Sequence, residues 1–102
     1  MVLKQDGSVW TTGHNEHGQL GDGSTANAQN FVQVMCDEVR VVAAGGLHSM
    51  VLKQDGSIWA AGSNNDGQFG DGTTTSSNSF VKLPLLRNYR NGLFVFVYLF
   101  II

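Results

Sequence analysis

The stretch MVLKQDGSVWTTGHNEHGQLGDG at residues 1–23 returns at residues 50–72 as MVLKQDGSIWAAGSNNDGQFGDG. The offset is 49 residues throughout, and 19 of the 34 positions aligned between residues 1–34 and 50–83 are identical without a gap. A repeat with a period between about 20 and 50 residues indicates an architecture of stacked copies of one unit. The two copies are therefore expected to share one local structure.

Each copy begins with two short apolar runs joined by a Gln-Asp-Gly turn, at residues 1–4 and 8–12 and again at 50–53 and 57–61. An Asp-Gly pair between such runs predicts a β-hairpin with a type I′ turn, in which both central residues take a positive φ. Aspartate tolerates that region and glycine adopts it without steric cost. We therefore expect one hairpin per copy.

A glycine-rich loop follows each hairpin, at residues 13–23 and 62–72. A helix is excluded there, because each of the four glycines per loop costs about 1 kcal/mol relative to alanine. Leu20 and Phe69 are the single apolar residues of these loops, and we expect them to be buried as plugs. The asparagine and glycine residues that recur in the loops are interpreted as supplying turn conformations.

A complete unit thus has four short strands, predicted at residues 39–44, 48–53, 57–61 and 80–83. Four antiparallel strands in about 50 residues are typical of a β-propeller blade. The predicted fold class is all-β, with four-stranded antiparallel blades in an incomplete propeller. Residues 1–34 are expected to form a partial blade without its opening strand, with a last strand at 31–34, and residues 35–83 a nearly complete blade.

The two-blade arrangement leaves faces without a neighbouring blade. We expect both outer faces, including those that bear Trp10 and Trp59, to be uncovered. Because repeat arrays need several units to be stable, missing blades or self-association into a closed ring would then be required.

The repeat ends at Leu83, and residues 84–102 form a non-repeat apolar tail, PLLRNYRNGLFVFVYLFII. Its last ten residues, 93–102, are all apolar or aromatic. A membrane-spanning helix needs about 20 such residues, so we expect no insertion into a membrane. The low charge and high β-propensity of this segment predict instead a tendency to aggregate.

Composition excludes several classes of protein. The formal net charge is −2, and the six basic residues are scattered singly, so direct nucleic-acid binding is not expected. Cys36 is the only cysteine, which rules out an internal disulfide. Residues 1–7 lack the charged and then apolar pattern of a signal peptide, and an intracellular location, cytoplasmic or nuclear, is expected.

No residue pattern predicts catalysis, a cofactor or a metal. His14 and His17 are three residues apart, but no further histidine or cysteine lies near them in the sequence, and a metal site needs three or four ligands. Residues 64–72 lack the closing glutamate of a calcium loop. His48 and Ser49 are adjacent on a predicted strand and so point to opposite faces, which excludes a dyad of nucleophile and base. A non-enzymatic module is expected.

The motif Ala-Gly-Gly-Leu-His-Ser at residues 44–49, followed by Asp-Gly, Trp, Gly-x-Asn and Gly-Gln-Phe-Gly, resembles the regulator of chromosome condensation repeat. The resemblance covers residues 1–83 and implies a seven-bladed β-propeller, of which this chain holds fewer than two blades. It also implies a structural role for His48, tying the inner strand to neighbouring backbone. The residues that match the structural repeat motif are Asp6, Gly7, Trp10, Gly13, Gly18, Gln19 and Gly21 in the first copy and His48, Asp55, Gly56, Trp59, Gly62, Gly67, Gln68 and Gly70 in the second.

Three functional hypotheses follow from the resemblance. The first is a protein-binding or scaffold module, in which a rigid propeller frame presents the functional loops around its rim. The second draws on family members that exchange guanine nucleotide on a small GTPase or recruit substrates in ubiquitin ligases. Exchange requires a loop insertion, whereas the loops at 13–30 and 62–79 are equal in length. The third is that the chain is a truncated or mispredicted fragment of a larger propeller, with no independent function.

Overall fold

The computed structural model describes residues 1–83, which form two antiparallel β-sheets. The strands are β1 (Val2–Leu3), β2 (Val9–Gly13), β3 (Ala28–Met35), β4 (Val39–Ala44), β5 (His48–Lys53), β6 (Ile58–Gly62) and β7 (Ser77–Lys82). The all-β prediction is confirmed. The predictions for the tail at 84–102 lie outside the described residues, and no helix within residues 1–83 is long and apolar enough to cross a membrane.

The sheets follow the order predicted for blades. The first blade has three strands in the order β1-β2-β3, and the second blade has four in the order β4-β5-β6-β7. The first blade therefore lacks the counterpart of β4, as expected. Strands β3 and β7 begin three residues earlier than predicted, at Ala28 and Ser77. Their first residues are largely exposed and polar, so the sequence carries no apolar signal for them.

The hairpin turns differ from the predicted type I′ turn. Among the described residues, Glu38 is the only non-glycine with a positive φ, so Asp6 and Asp55 do not take that conformation. Instead, the amide of Gly7 (φ 85°) donates to the carbonyl of Lys4 at 3.0 Å, and the amide of Lys4 donates to the carbonyl of Ser8 at 2.9 Å. This is a three-residue loop, with a turn followed by a glycine bulge.

The aspartate side chain explains why the turn takes this form. The Oδ1 atom of Asp6 accepts hydrogen bonds from the amide of Ser8 at 2.9 Å and from its hydroxyl at 2.6 Å. Asp55 and Ser57 repeat both bonds at 2.9 and 2.6 Å. Because aspartate acts through its carboxylate, only the glycine has to adopt the left-handed conformation.

The two blades pack face to face on an apolar layer, which we call the interface cluster. Val9 of the first blade and Val39 and Val51 of the second are its buried centre. Partly buried side chains surround them: Met1, Leu3, Val34 and Met35 from the first copy and Val42, Trp59 and Phe80 from the second. Burial of this layer is the main apolar contribution that holds the blades together.

The far side of the second blade carries another apolar layer, the second-blade cluster. Its buried members are Met50, Leu52, Ile58, Ala60, Phe69 and Leu83. Met50 and Leu52 have no exposed surface, so the expectation that both outer faces are uncovered is wrong at this end. It is also wrong for Trp59, which packs into the interface cluster because its strand face is turned towards the first blade.

Hydrogen bonds add to the apolar contact between the blades. The hydroxyl of Ser49, on β5, donates to the carbonyl of Gln19 in the first copy at 2.7 Å, and this bond is buried. The amide of Val39 donates to the carbonyl of Gly7 at 3.2 Å. Each bond fixes the position of one blade relative to the other, because it joins a loop or turn of the first blade to a strand of the second.

Two glycines of the first copy permit the close approach of the second blade. A Cβ atom added at Gly7 would lie 2.8 Å from the backbone nitrogen of Glu38. One added at Gly18 would lie 2.6 Å from the Cα atom of Asn78. Real Cβ atoms do not approach backbone so closely, so these glycines are part of the contact between the blades.

Candidate functional site: the loop rim

Two loops at one rim of the blades are the candidate functional site. The first loop (14–27) joins β2 to β3, and the second loop (63–76) joins β6 to β7. A shallow groove of about 490 Å³ lies between the two copies at this rim. All of its lining residues have polar or charged side chains: Glu16, His17, Thr25, Ser76, Ser77 and Asn78. We call this surface the loop rim.

The first loop is organised around the side chain of Asn15, which is completely buried. Its Oδ1 atom accepts a hydrogen bond from the amide of Leu20 at 2.9 Å. Its Nδ2 atom donates to the carbonyls of Ser24 at 3.0 Å and Ala26 at 2.9 Å and approaches Asp22 Oδ1 at 3.2 Å. One side chain therefore ties together both halves of the loop.

Asn64 repeats this arrangement in the second loop and is also completely buried. Its Oδ1 atom accepts from the amide of Phe69 at 2.9 Å, and its Nδ2 atom donates to the carbonyls of Thr73 and Thr75, each at 3.1 Å. Asn64 lies in a turn, as predicted, since its carbonyl accepts a hydrogen bond from the amide of Gly67 at 3.0 Å, but it has no positive φ. It acts through its side-chain amide, which supplies both an acceptor and a donor.

Apolar residues hold the loops down on the sheets. Leu20 and Phe69 are 5% and 1% exposed, and Phe69 belongs to the second-blade cluster. The glutamine beside each of them closes a tight turn: Gln19 Oε1 accepts from the amide of His17, and Gln68 Oε1 from the amide of Asp66, both at 2.9 Å. The loop backbone is thus fixed from the inside.

The Asp–Ser–Trp unit at each hairpin forms a second polar network, away from the loop rim. The indole nitrogen of Trp10 donates to the hydroxyl of Ser8 at 3.1 Å, and the Lys4 ammonium lies 4.5 Å from the centre of the indole ring. The hydrogen bonds from Ser8 hold the pKa of Asp6 below its ordinary value. The second copy repeats the network with Lys53 and Trp59.

Asp71, in the second loop, also has a shifted pKa, as does Asp55 at the second hairpin. Burial alone would raise the pKa, but the hydrogen bonds donated by Thr73 and Asn64 outweigh it, and the net shift is downward. The ionised form of Asp71 is therefore part of the folded loop.

His48 and Ser49 occupy the start of β5, where His48 pairs with Gly62 and Ser49 with Ala61. Ser49 uses its hydroxyl for the bond to Gln19, so it does not act with His48. Burial lowers the pKa of the His48 imidazole and favours its neutral form.

The remaining histidines lie on the first loop. His14 Nε2 lies 3.3 Å from Glu16 Oε2, and both side chains are well exposed. In the part of the chain that the structure describes, no group of three or more His, Cys, Asp or Glu side chains is placed to hold a metal ion.

The structure distributes the predicted motif residues over several places. The Asp-Gly-x-x-Trp residues lie at the hairpins, the Gly-Gln-x-Gly residues lie in the loops, and His48 lies on an inner strand. The sequence reasoning did not assign Asn15 and Asn64 their role as organisers of the loops. Their signal was present, because each stands two residues after the last residue of a strand, and the two are 49 residues apart.

Comparison with known proteins agrees with this geometry. Two sequence profiles described as the Regulator of chromosome condensation (RCC1) repeat match residues 39–68 and 6–52. The crystal structure of human WBSCR16 is similar, with a TM-score of 0.69 and 28% identity, covering 81% of this chain and 23% of that one. The chain thus spans under a quarter of the length of that protein, and no curated protein matches it. The chain belongs to the regulator of chromosome condensation (RCC1) repeat family.

Proposed function

We propose that this chain is a non-enzymatic protein-binding module whose loop rim contacts the partner. The observation that carries the proposal is the buried asparagine in each loop, which fixes the loop backbone before any partner arrives. A preordered loop loses little conformational entropy on binding, so more of its contact energy appears as affinity.

The chemistry of the groove supports a protein as the ligand. Its lining side chains carry hydroxyl, amide, imidazole and carboxylate groups, and the buried Leu20 and Phe69 are not among its lining residues. Small-molecule sites are mostly apolar with a few polar groups, whereas protein interfaces have polar rims rich in hydrogen bonds. A shallow polar groove between two rigid loops fits a loop or turn of another protein.

Two narrower functions remain alternatives within this proposal. Nucleotide exchange on a small GTPase is less favoured, because the loops at 13–30 and 62–79 are equal in length and neither carries an insertion. Substrate recruitment for ubiquitination is a form of protein binding and would use the same rim. Either function is expected to need the further blades of a larger propeller.

The test is binding by the full chain, with variants confined to the loop rim. Proteins retained by the immobilised chain are identified and purified, and the Kd of each is measured by calorimetry. Glu16→Ala and Asn78→Ala remove groove side chains and leave Asn15 and Asn64 intact. We expect each variant to weaken a true partner about tenfold, as for a central contact of an interface.

Gln33→Ala on β3, which lies outside the loop rim, is the matched control and should leave the Kd unchanged. A partner whose Kd is unaffected by both rim variants would contradict the proposal, as would the absence of any saturable binding. Release of labelled nucleotide from small GTPases is measured alongside. An acceleration that the rim variants abolish would favour exchange instead.

A further inference from the structure

The charged residues of the two blades are distributed unevenly between their two rims. The hairpin turns at residues 4–8 and 54–57 lie at the rim opposite the loop rim, as does the turn at 36–38 between the blades. We call this opposite edge the hairpin rim. The Lys and Arg residues of the described chain lie at or beside it: Lys4, Arg40, Lys53 and Lys82. Four carboxylates share this rim, so its formal charges balance: Asp6, Asp37, Glu38 and Asp55.

The loop rim, in contrast, carries formal charge of one sign. Its connections at 14–27, 45–47 and 63–76 contain no Lys or Arg, but they contain four carboxylates: Glu16, Asp22, Asp66 and Asp71. Asp22 and Asp71 accept hydrogen bonds within their own loops, from the amides of Ser24 and Thr73. Glu16 and Asp66 are exposed, and Glu16 lines the groove between the two copies.

The carboxylate of Glu16 has no strong partner within residues 1–83. Its contact with His14 Nε2, at 3.3 Å, joins side chains that are 73% and 60% exposed, and contacts between such exposed groups contribute little. No Lys or Arg of the described chain forms an ion pair with it. A cation brought by another molecule can therefore pair with Glu16 without first displacing a Lys or Arg.

Filling the groove would make such a cation necessary. A partner that covers the groove takes water away from Glu16, and a carboxylate removed from water is costly unless it is paired and hydrogen-bonded. Because the connections of the loop rim contain no Lys or Arg, the pairing cation has to come from the partner.

The groove also offers hydrogen-bond acceptors in addition to this charge. Thr25, Ser76 and Asn78 line it together with Glu16, and their hydroxyl and amide oxygens can accept. Within residues 1–83, the side chains of Thr25 and Asn78 form no hydrogen bond of their own. A guanidinium group has only donors, held in a planar fork that matches a carboxylate. Arginine is therefore the side chain that fits the groove best.

We propose that the loop rim binds a basic segment of its protein partner and that an arginine of this segment enters the groove and pairs with Glu16. The inference rests on the proposed function, because it concerns the partner that covers the loop rim. Asp66, exposed outside the groove, attracts the segment from a distance and raises the rate of association. The hairpin rim, whose charges balance, takes no part.

The preference for a basic ligand is tested with labelled decaarginine as the probe, by fluorescence anisotropy with the full chain at low ionic strength, where surface charges are least screened. Glu16→Gln keeps the size of the side chain and removes its charge, and we expect the Kd to rise about tenfold. Asp37→Asn is the matched control, because it removes the same charge from an exposed position of the hairpin rim. It should change the Kd by less than about twofold, the range of a contact outside the interface.

Amide NMR signals of the full chain locate the bound peptide. Decaarginine should shift the signals of residues 15–25 and 76–78 and leave those of the hairpin turns in place, and decaglutamate should shift none of them. Equal weakening by Glu16→Gln and Asp37→Asn, saturable binding of decaglutamate to the loops, or shifts confined to the hairpin rim would overturn the inference. Circular dichroism of each variant checks that the fold persists.

Two further outcomes separate this inference from the proposed function. A protein partner whose Kd rises in Asn78→Ala but not in Glu16→Gln would agree with the proposed function and overturn the basic segment. A chain that retains no protein, but binds decaarginine in a way that depends on Glu16, would contradict the proposed function and support the preference of the groove for a basic ligand.

Discussion

Replacing Asn15 by alanine is expected to unfold the first loop at a cost of about 2 to 3 kcal/mol, since a buried unpaired polar group costs about 1 to 3 kcal/mol. The group left unpaired is the amide of Leu20, which donates to Asn15 Oδ1 in a buried hydrogen bond of 2.9 Å. The carbonyls of Ser24 and Ala26 also lose their donor, but Ser24 is only half-buried and Ala26 is exposed, so water replaces the donor at smaller cost. A cavity at a fully buried position adds to the loss.

The Asn15→Asp variant distinguishes the hydrogen bond that Asn15 accepts through Oδ1 from those that it donates through Nδ2. Aspartate keeps an oxygen for the amide of Leu20 but places a carboxylate where Nδ2 now approaches Asp22 Oδ1 at 3.2 Å. At neutral pH this variant should be less stable than Asn15→Ala, because it buries an unpaired charge beside another carboxylate. At acidic pH the difference in stability between the two variants should become smaller, because a protonated carboxyl group can again donate a hydrogen bond.

Urea unfolding followed by tryptophan fluorescence measures the free energy of unfolding, at one fixed protein concentration. A loss of this size should lower the Tm by about 10 °C or more. Hydrogen exchange at the Leu20 amide should accelerate more than exchange on the sheet. Asn30→Ala, at an exposed position of β3, is the control. A change under about 0.5 kcal/mol in Asn15→Ala, the range of a surface substitution, would refute the reasoning.

Gly62→Ala should cost more than about 2 kcal/mol of unfolding free energy, because the added Cβ overlaps the carbonyl oxygen of Leu47 and φ is 107°. At Gly67 φ is 74° and nothing in the described chain lies within 4 Å of an added Cβ, so Gly67→Ala should cost only the backbone strain of about 1 to 2 kcal/mol. Equal losses in the two variants would contradict a collision between the new Cβ at position 62 and the carbonyl of Leu47. Stability should also fall on acidification. The pKa of Asp55 is lowered by hydrogen bonds from Ser57, so its contribution is complete above pH 3.8 and is lost as pH falls through the folded pKa, a slope that Asp55→Asn should remove. The pKa of His48 is lowered by burial, so its contribution declines from pH 6.5 downwards, and His48→Gln should flatten that part of the curve measured by urea unfolding at each pH.

The sequence predicted the sheets because the repeat supplied the hairpin signals twice. Strands β4 and β5 lie where the apolar runs placed them, at Val39–Ala44 and His48–Lys53, although β4 has no counterpart in the first copy and was predicted from its own β-branched run. The turn type was mistaken, because the rule for Asp-Gly concerns backbone conformation, whereas Asp6 acts through hydrogen bonds to Ser8. Pattern alone does not distinguish these two roles of the same residue.

The candidate site was less predictable than the fold. Asn15 was visible as a recurring residue, but its contacts span residues 20 to 26 of an irregular loop, and no periodicity reports such contacts. The difference between Trp10 and Trp59 was also hidden, since identical residues in a repeat differ only in which neighbour covers them. That information lies in the stacking of the blades.

The glycines at the contact between the blades have a consequence for how substitutions accumulate in such a chain. Gly7 and Gly56 have the same letter, the same place in the motif and nearly the same φ, 85° and 88°. An alanine at Gly7 would collide with the backbone at Glu38, whereas within the described residues nothing lies within 4 Å of a Cβ at Gly56. Mutational tolerance should therefore differ between copies of one motif, and a saturation scan would record a gradient along the array. Inheritance by duplication gives both copies the same residues, but selection acts on each according to its neighbour.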